Sequence, residues 1–296
     1  MLGVVNLDKP VGPTSHDMVG LLRRLTGTRR IGHAGTLDPL ASGVLPILVG
    51  AATRFSEELT GGRKRYEATI RLGARSATDD AEGPIEPTAA SIPGPEAIRD
   101  ALRAFVGTFE QRPPTFSARK SGGRTAHRAA RSGTPIEVAP RTVIVEAIEL
   151  LGTAPAGEGQ LDVAIDVRCG AGTYIRSIAR DLGDALGCGG YLAGLRRTEA
   201  AGLRASDAIG PVQLADLAAA GRLGEAILPV GPLLPLPRVE LDEESARAFR
   251  NGSARALRDA AGEGRVAVFA DRALLGTGSV AGGVLQPDKV IPVDAG

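Results

Sequence analysis

The sequence predicts an α+β fold: a mixed, largely antiparallel sheet flanked by helices, with a small β-rich module at its C-terminal end. Three observations predict it. Segments with two-residue apolar alternation and segments with helical spacing are interleaved, without the regular strand–helix–strand repeat of a parallel α/β sheet. A proline-rich stretch at 228–238, LPVGPLLPLPR, reads as a linker. The residues beyond it carry Gly-rich turns between short apolar runs, the pattern of a mostly β unit. This divides the chain into 1–230 and 239–296.

The elements follow in order. Gly3 to Leu7 is a short apolar strand stopped by Asp8-Lys9-Pro10. Thr14 or Ser15 caps a helix to about Leu25, with Met18, Val19, Leu21, Leu22 and Leu25 apolar and a stop at Gly27. Residues 31–43 read as a loop of small residues. Lys64 to Arg75 alternates, with Tyr66, Ala68, Ile70 and Leu72 on one side and Glu67, Thr69 and Arg71 on the other, as a half-buried strand does. Pro95 to Val106 is a helix ended by Gly107. Val143 to Leu151 and Leu161 to Cys169 read as strands. Thr173 to Leu186 is a helix with Ile175, Ile178, Ala179, Leu182 and Leu186 inward. Val266 to Ala270, Ala273 to Gly276 and Val284 to Val293 supply the strands of the last module.

Composition narrows the class. A hydrophobic fraction of 43% beside 23% charged residues is that of a soluble globular chain, not a disordered or polytopic membrane one. The longest apolar run, Gly43 to Ala52, is interrupted by Pro46 and falls short of the roughly 20 residues a bilayer demands. MLGVVNLDKP has no basic region and no long apolar core, so no signal peptide is read. Cys169 and Cys188 form neither a CxxC pair nor a disulfide framework, which makes the cytoplasm the expected location. His16, His33 and His127 are scattered without metal-ligand spacing, so no metal is expected.

The net charge of +1 hides an asymmetry. Residues 1–141 hold 20 Lys and Arg against 14 Asp and Glu; residues 142–296 hold 15 against 20. A basic half points to an anionic partner such as nucleic acid. Arg23, Arg24, Arg29 and Arg30 crowd the end of the first helix, where they complement the helix dipole or touch phosphate. Between Gln111 and Arg141, Arg112, Arg119, Lys120, Arg124, Arg128, Arg131 and Arg141 face a single acid, Glu137. A long basic loop of this kind reads as an RNA-contacting arm or as a solvated surface.

Chemistry concentrates around Asp38, in GHAGTLDPLASG at 32–43. Flanking glycines let the backbone turn sharply or approach a ligand. Pro39 stiffens the turn and moves Asp38 out of the α region. From the residues alone, Asp38 serves as a nucleophile, an acid or base, or a turn-forming residue.

The blocks together resemble a known family. GHAGTLDPLASGVL is similar to the catalytic motif of the bacterial tRNA pseudouridine-55 synthases. Val5 to Pro10 followed by Thr14-Ser15-His16-Asp17 resembles the family's opening segment. Lys64-Arg65-Tyr66, Arg71-Leu72-Gly73 and Thr78 to Gly83 resemble its second motif. Gly172 to Ser177 and Leu195 to Thr198 resemble its third region. The blocks keep the family order over roughly residues 3–200. The last module is loosely similar to the family's PUA-like domain, which would contact the acceptor-stem end of tRNA.

The resemblance implies a cofactor-free isomerase that flips uridine 55 out of the tRNA T-loop and moves its ribose attachment from nitrogen to carbon. It implies Asp38 as nucleophile, Tyr66 stacked on the flipped base with a hydroxyl available for proton transfer, and Arg176 paired with Asp38. Tyr174 and Leu195 would line the base pocket. His33 would fill space near the flipped nucleotide or contact RNA, and Lys9 would support the loop at the substrate. Arg119, Lys120 and Arg124 would bind RNA, and Asp80 would help place it. The implied partner is the tRNA T-arm, with no membrane, no protein partner and a monomeric enzyme. Two arm positions depart from the family pattern: His127 stands where a tyrosine is usual, and Ser121 replaces an apolar or aromatic residue before Gly122. The competing readings are a non-catalytic tRNA-binding or folding protein, a synthase guided by a separate RNA, and a small-molecule enzyme. The last has no phosphate loop or metal cluster to recommend it.

Overall fold

The computed structural model describes residues 1–88, 90–114, 139–257 and 262–292, and the backbone alone at 120–121 and 124–125. The chain opens with β1 (Gly3–Lys9), α1 (Ser15–Thr26), β2 (Ile31–His33), β3 (Ala41–Val49) and α2 (Ser56–Thr60). β4 (Lys64–Leu72), the short pair β5 (Ala74–Ser76) and β6 (Ile85–Pro87), α3 (Pro95–Arg103) and β7 (Gly107–Gln111) come next. The two-residue strands β8 (Lys120–Ser121) and β9 (Arg124–Thr125) pair within the basic arm. A long hairpin of β10 (Arg141–Gly157) and β11 (Gln160–Cys169) leads to α4 (Ile175–Ala185), β12 (Gly190–Ala200), β13 (Leu203–Arg204) and α5 (Pro211–Ala219). β14 (Arg238–Glu240), α6 (Glu243–Arg250), β15 (Arg255–Ala256), β16 (Gly264–Ala270), β17 (Ala273–Ala281) and β18 (Val284–Val290) build the last module.

The α+β class is the one expected. The main sheet runs β1-β3-β12-β4-β11-β10-β7, with β2 added to β3 and β13 to β12. Its pairs are antiparallel except β3 with β12. The module is a second sheet in the order β14-β16-β17-β18-β15. No helix among the described residues is long and apolar enough to cross a membrane.

Local sequence explains most elements. Thr14 caps α1 in a reciprocal box with Asp17, and Gly27 closes it in the left-handed region. Met18, Val19 and Leu22 face the sheet. β4 buries Tyr66, Ala68, Ile70 and Leu72, the predicted face. The predicted strand beyond Leu72 breaks at Gly73 into β5.

Several expectations change. The loop expected at 31–43 contains β2, and Ala41 already begins β3. The run Gly43 to Ala52 contains most of β3, whose two faces enter two different cores: Leu45, Ile47 and Val49 on one side, Val44 and Leu48 on the other. A strand covered on both faces is continuously apolar and shows no alternation. β12, at the sheet centre, escapes a pattern search because Gly190, Gly194, Arg196 and Arg197 interrupt it. β10 is much longer than its apolar stretch, because its far end pairs with β11 through register shifts while facing solvent. α3 stops at Arg103, three residues early, and α4 is trimmed to Ile175–Ala185.

The linker expected at 228–238 is a packed strap. Leu228 exchanges backbone hydrogen bonds with Val4 at 2.8 Å each way, and Val230 and Leu234 are buried. They join Val4, Leu48, Phe55 and Phe269 in the second core, which spans both sheets. Buried Glu58 on α2 adds an ion cluster there, 2.6 Å from Arg265 and 2.8 Å from Lys289 of the module.

At Gly43 the backbone of β3 lies close against that of β12. It holds φ +99°, and a Cβ on it would lie 2.2 Å from the Arg197 carbonyl oxygen. Gly43→Ala therefore adds a backbone collision to a conformational cost of about 1–3 kcal/mol. Gly12, at φ +108° with open space around it, carries the conformational cost alone. Urea denaturation is expected to show the larger loss of stability for Gly43→Ala, and equal losses would contradict the close approach.

Candidate active site

The loop from Gly35 to Leu40 joins β2 to β3 and carries Asp38, whose side chain is 42% exposed. Three elements hold the loop. Ser15, the first residue of α1, accepts the Leu37 N–H at 2.8 Å on its Oγ and donates to the Leu37 carbonyl at 2.9 Å. Lys9, at the end of β1, is fully buried and donates from Nζ to the carbonyls of Ala41 at 2.7 Å and Pro10 at 2.8 Å. Arg197 of β12, also buried, donates to the carbonyls of Val44 at 2.7 Å and Gly35 at 3.0 Å. Buried donors thus satisfy loop carbonyls that β pairing leaves over.

Arg176, on the first turn of α4, reaches the Asp38 carboxylate at 3.0 Å and Asp80 at 3.2 Å. Asp80 is 3% exposed and accepts from the Thr78 hydroxyl and the Glu82 N–H. Asp80 is buried beside Arg176, whose guanidinium needs a counter-charge on its enclosed side. The exposed carboxylate of the pair is Asp38.

A cavity of about 240 Å³ opens beside Asp38. Tyr66, Tyr174, Arg176, Leu195, Lys64 and Arg197 line it together with Asp38. Tyr66 is buried on β4, and burial pushes its hydroxyl above the usual phenol range despite the nearby Arg197 charge. It therefore keeps its proton at neutral pH and remains a hydrogen-bond donor. Lys64 donates at 2.8 Å to the carbonyls of Thr60 and Gly62. Burial lowers the ammonium of Lys9 to about 8, against the opposing pull of Asp38, and lowers Lys64 to about 8 as well. Among the described residues, no group of three or more His, Cys, Asp or Glu side chains is arranged to hold a metal ion.

Five expected residues, Asp38, Tyr66, Tyr174, Arg176 and Leu195, meet at this cavity. Two do not. Lys9 lies beneath the loop, with its ammonium spent on carbonyls. His33 is half-buried on β2 outside the wall, where burial and the Arg197 charge favour its neutral form. Arg119 and His127 lie outside the described residues, and for Lys120, Ser121 and Arg124 only the backbone of β8 and β9 is described. Lys64, Arg197 and Ser15 are additions. All three stand inside the motif blocks, and only their burial separates them from ordinary polar residues.

The fold and the site define an α+β protein with a carboxylate–arginine pair at the mouth of a small cavity and a β module docked behind it. The family models identify it further. Residues 23–175 match the N-terminal domain of the TruB family of pseudouridylate synthases, 176–234 a C-terminal domain of tRNA pseudouridylate synthase B, and 237–291 the C-terminal domain of pseudouridine synthase II TruB. The chain belongs to the TruB family of pseudouridylate synthases. It is 41% identical over 300 residues to tRNA pseudouridine synthase B of Ralstonia pickettii (strain 12J), covering 98% of this chain and 94% of that one. It is 41% identical over 301 residues to tRNA pseudouridine synthase B of Burkholderia mallei (strain NCTC 10247), covering 99% and 98%. A solved structure of an H/ACA RNP bound to a substrate RNA containing 2'-deoxyuridine is similar over 99% of this chain and 86% of its own, with a TM-score of 0.75 and 27% identity.

The buried lysines make a titration test. The chain has only four lysines, so ε-labelled lysine gives four signals. Two are expected to titrate near pH 8 instead of the ordinary 10.5, and Lys9→Arg and Lys64→Arg assign them. Burial disfavours the charged form, so its penalty on stability is complete below pH 8 and is relieved as pH rises from 8 towards 10.5. Four signals titrating together near the ordinary value would contradict the burial of both.

Proposed function

We propose that this chain is a tRNA pseudouridine synthase that isomerises uridine 55 of the T-loop, with Asp38 as its nucleophile. The observation that carries the proposal is the 3.0 Å pair of Arg176 with Asp38 at the wall of a cavity in a chain of this family. The relatives named tRNA pseudouridine synthase B, aligned over nearly the whole chain, support tRNA as the substrate.

The reaction breaks the bond from ribose C1′ to uracil N1 and forms one from C1′ to C5. C5 gives up a proton and N1 gains one, so the change is an isomerisation with no electron acceptor or donor. Uridine must first leave its stack, which costs a few kcal/mol. The cavity is small beside the roughly 300–1,000 Å³ clefts that hold drug-sized ligands, which suits one flipped nucleotide. Tyr66 and Leu195 offer the base an aromatic and an aliphatic wall. Arg176 keeps the Asp38 carboxylate oriented through their ion pair. The protonated Tyr66 hydroxyl is available to relay the proton. Arg119, Lys120 and Arg124 bind the T-arm phosphates, His33 contacts the RNA beside the cavity, and the enzyme acts as a monomer without a protein partner. The likeness to an H/ACA RNP favours a second reading, a synthase directed by a guide RNA.

Two measurements test these readings. Asp38→Asn is expected to abolish pseudouridine formation on unmodified T-arm RNA while binding stays within about tenfold, because the carboxylate acts in chemistry and not on phosphate. Turnover near that of the wild type would remove the nucleophile. Wild-type turnover on the T-arm alone, without any other RNA, excludes the guided reading. Charge-neutral substitutions at Arg119, Lys120 and Arg124 are expected to weaken binding and reduce its salt slope by about 0.7–0.9 for each phosphate left without its cation. An unchanged slope would make the arm a solvated surface.

A further inference from the structure

Both ends of the basic arm are tied to the segment that carries Tyr174 and Arg176. Gln111, the last residue of β7, is 1% exposed. Its Oε1 accepts the Tyr174 N–H at 2.8 Å, and its Nε2 donates to the Tyr174 carbonyl at 3.0 Å. One residue further along, the Arg112 carbonyl accepts from the Ser177 hydroxyl at 2.8 Å and from the Arg180 guanidinium at 3.0 Å. On the returning strand, Arg141 stands opposite Gln111 in the β7–β10 register. Its guanidinium packs over Gly172, where a Cβ would lie 2.3 Å from it.

These ties meet at the N-terminal end of α4. Tyr174 is the N-cap of α4, and its own side chain makes no capping hydrogen bond. Arg176 lies two residues on, in the first turn. A side-chain amide that both accepts from and donates to one residue fixes the rotation of that residue as well as its position. Gln111 therefore fixes the backbone of Tyr174, two residues before Arg176.

We propose that Gln111 is a positioning residue that registers Tyr174 and Arg176 against β7 and β10 at the root of the basic arm, so that the wall of the cavity keeps its place when RNA binds. The proposal rests on the isomerase reading of the site. It predicts that losing the clasp slows the reaction in bound RNA more than it weakens binding.

The test compares wild type, Gln111→Met and Gln111→Glu on unmodified T-arm RNA, measuring the single-turnover rate at saturation and the Kd. Methionine keeps the length and loses both hydrogen bonds. Gln111→Met is expected to lower the saturated rate about tenfold or more, since small misplacements of catalytic groups cost up to about a hundredfold. Its Kd is expected to change by less than about threefold. Gln111→Glu keeps the acceptor, but when ionised turns an oxygen towards the Tyr174 carbonyl. Its rate relative to wild type is expected to recover as pH falls from about 8 to 6, because a protonated carboxyl restores the donor. Hydrogen exchange gives a readout apart from turnover: T-arm RNA is expected to protect the amides of residues 174–177 in wild type and to protect them less in Gln111→Met.

A saturated rate within twofold of wild type for Gln111→Met would overturn the proposal. So would a loss confined to Kd, which would leave Gln111 as a support of the arm alone. If Gln111→Met does not fold, the pH recovery of Gln111→Glu decides the matter, and its absence overturns the proposal. Wild-type protein that binds T-arm RNA without forming pseudouridine would instead overturn the isomerase reading. The exchange measurement would then still decide whether Gln111 links the arm to Tyr174.

Discussion

The site depends on one buried cation shared by two carboxylates. Arg176 cannot sit among apolar side chains without a counter-charge, and Asp80 supplies one on its enclosed side. The remaining reach of the guanidinium then meets Asp38 at the cavity. Because one partner is buried and the other is not, the group of three carries an excess negative charge on the side open to a substrate. Removing one member of such a buried pair leaves an uncompensated charge and typically costs about 3–5 kcal/mol.

Holding Asp38 in place is a separate problem, solved by backbone satisfaction. The loop that carries it runs over a packed sheet, so its carbonyls cannot all turn to water. Ser15 of α1 and Arg197 of β12 reach them from far apart in the sequence, and Lys9 of β1 holds the Ala41 carbonyl where β3 begins. Each is polar and buried for that reason. Their burial shifts the lysine towards its neutral form, while its N–H groups remain able to donate. The same sheet brings β4 and α4 to the other walls of the cavity, so a site of few residues draws on most of the main sheet.

The C-terminal module belongs to this framework. Its strand β16 gives Ala267 and Phe269 to a core that also contains Val4, Leu48 and Phe55. The ion cluster of Glu58 with Arg265 and Lys289 ties the module to α2, whose last residue, Thr60, lines the cavity and accepts from Lys64. The proline-rich strap takes a short 3-10 turn at Gly231–Leu233, which the fixed φ of Pro232 suits, and Val230 and Leu234 on either side of it turn inward.

Much of this was legible beforehand because it is local. The Thr14 cap, the Gly27 stop, the alternation along Lys64 to Leu72 and the Arg176–Asp38 pairing implied by the ordered motifs all survive in the structure. The strands β3 and β12 were not legible, the first because both its faces are covered and the second because arginines and glycines interrupt it. His33 and Lys9 share motif blocks with the cavity residues but do not line the cavity: Lys9 is buried with its ammonium on the Pro10 and Ala41 carbonyls, and His33 stands half-buried on β2. Element types, the basic first half and the motif residues that meet at the cavity are written in the sequence, since these follow from short-range propensity and residue identity. The packed fold settled which polar groups are buried, that Asp80 lies under Arg176, that Gln111 clasps Tyr174 and that the strap is packed. Each of these depends on strands and loops meeting across tens or hundreds of residues, a distance over which local pattern carries no information.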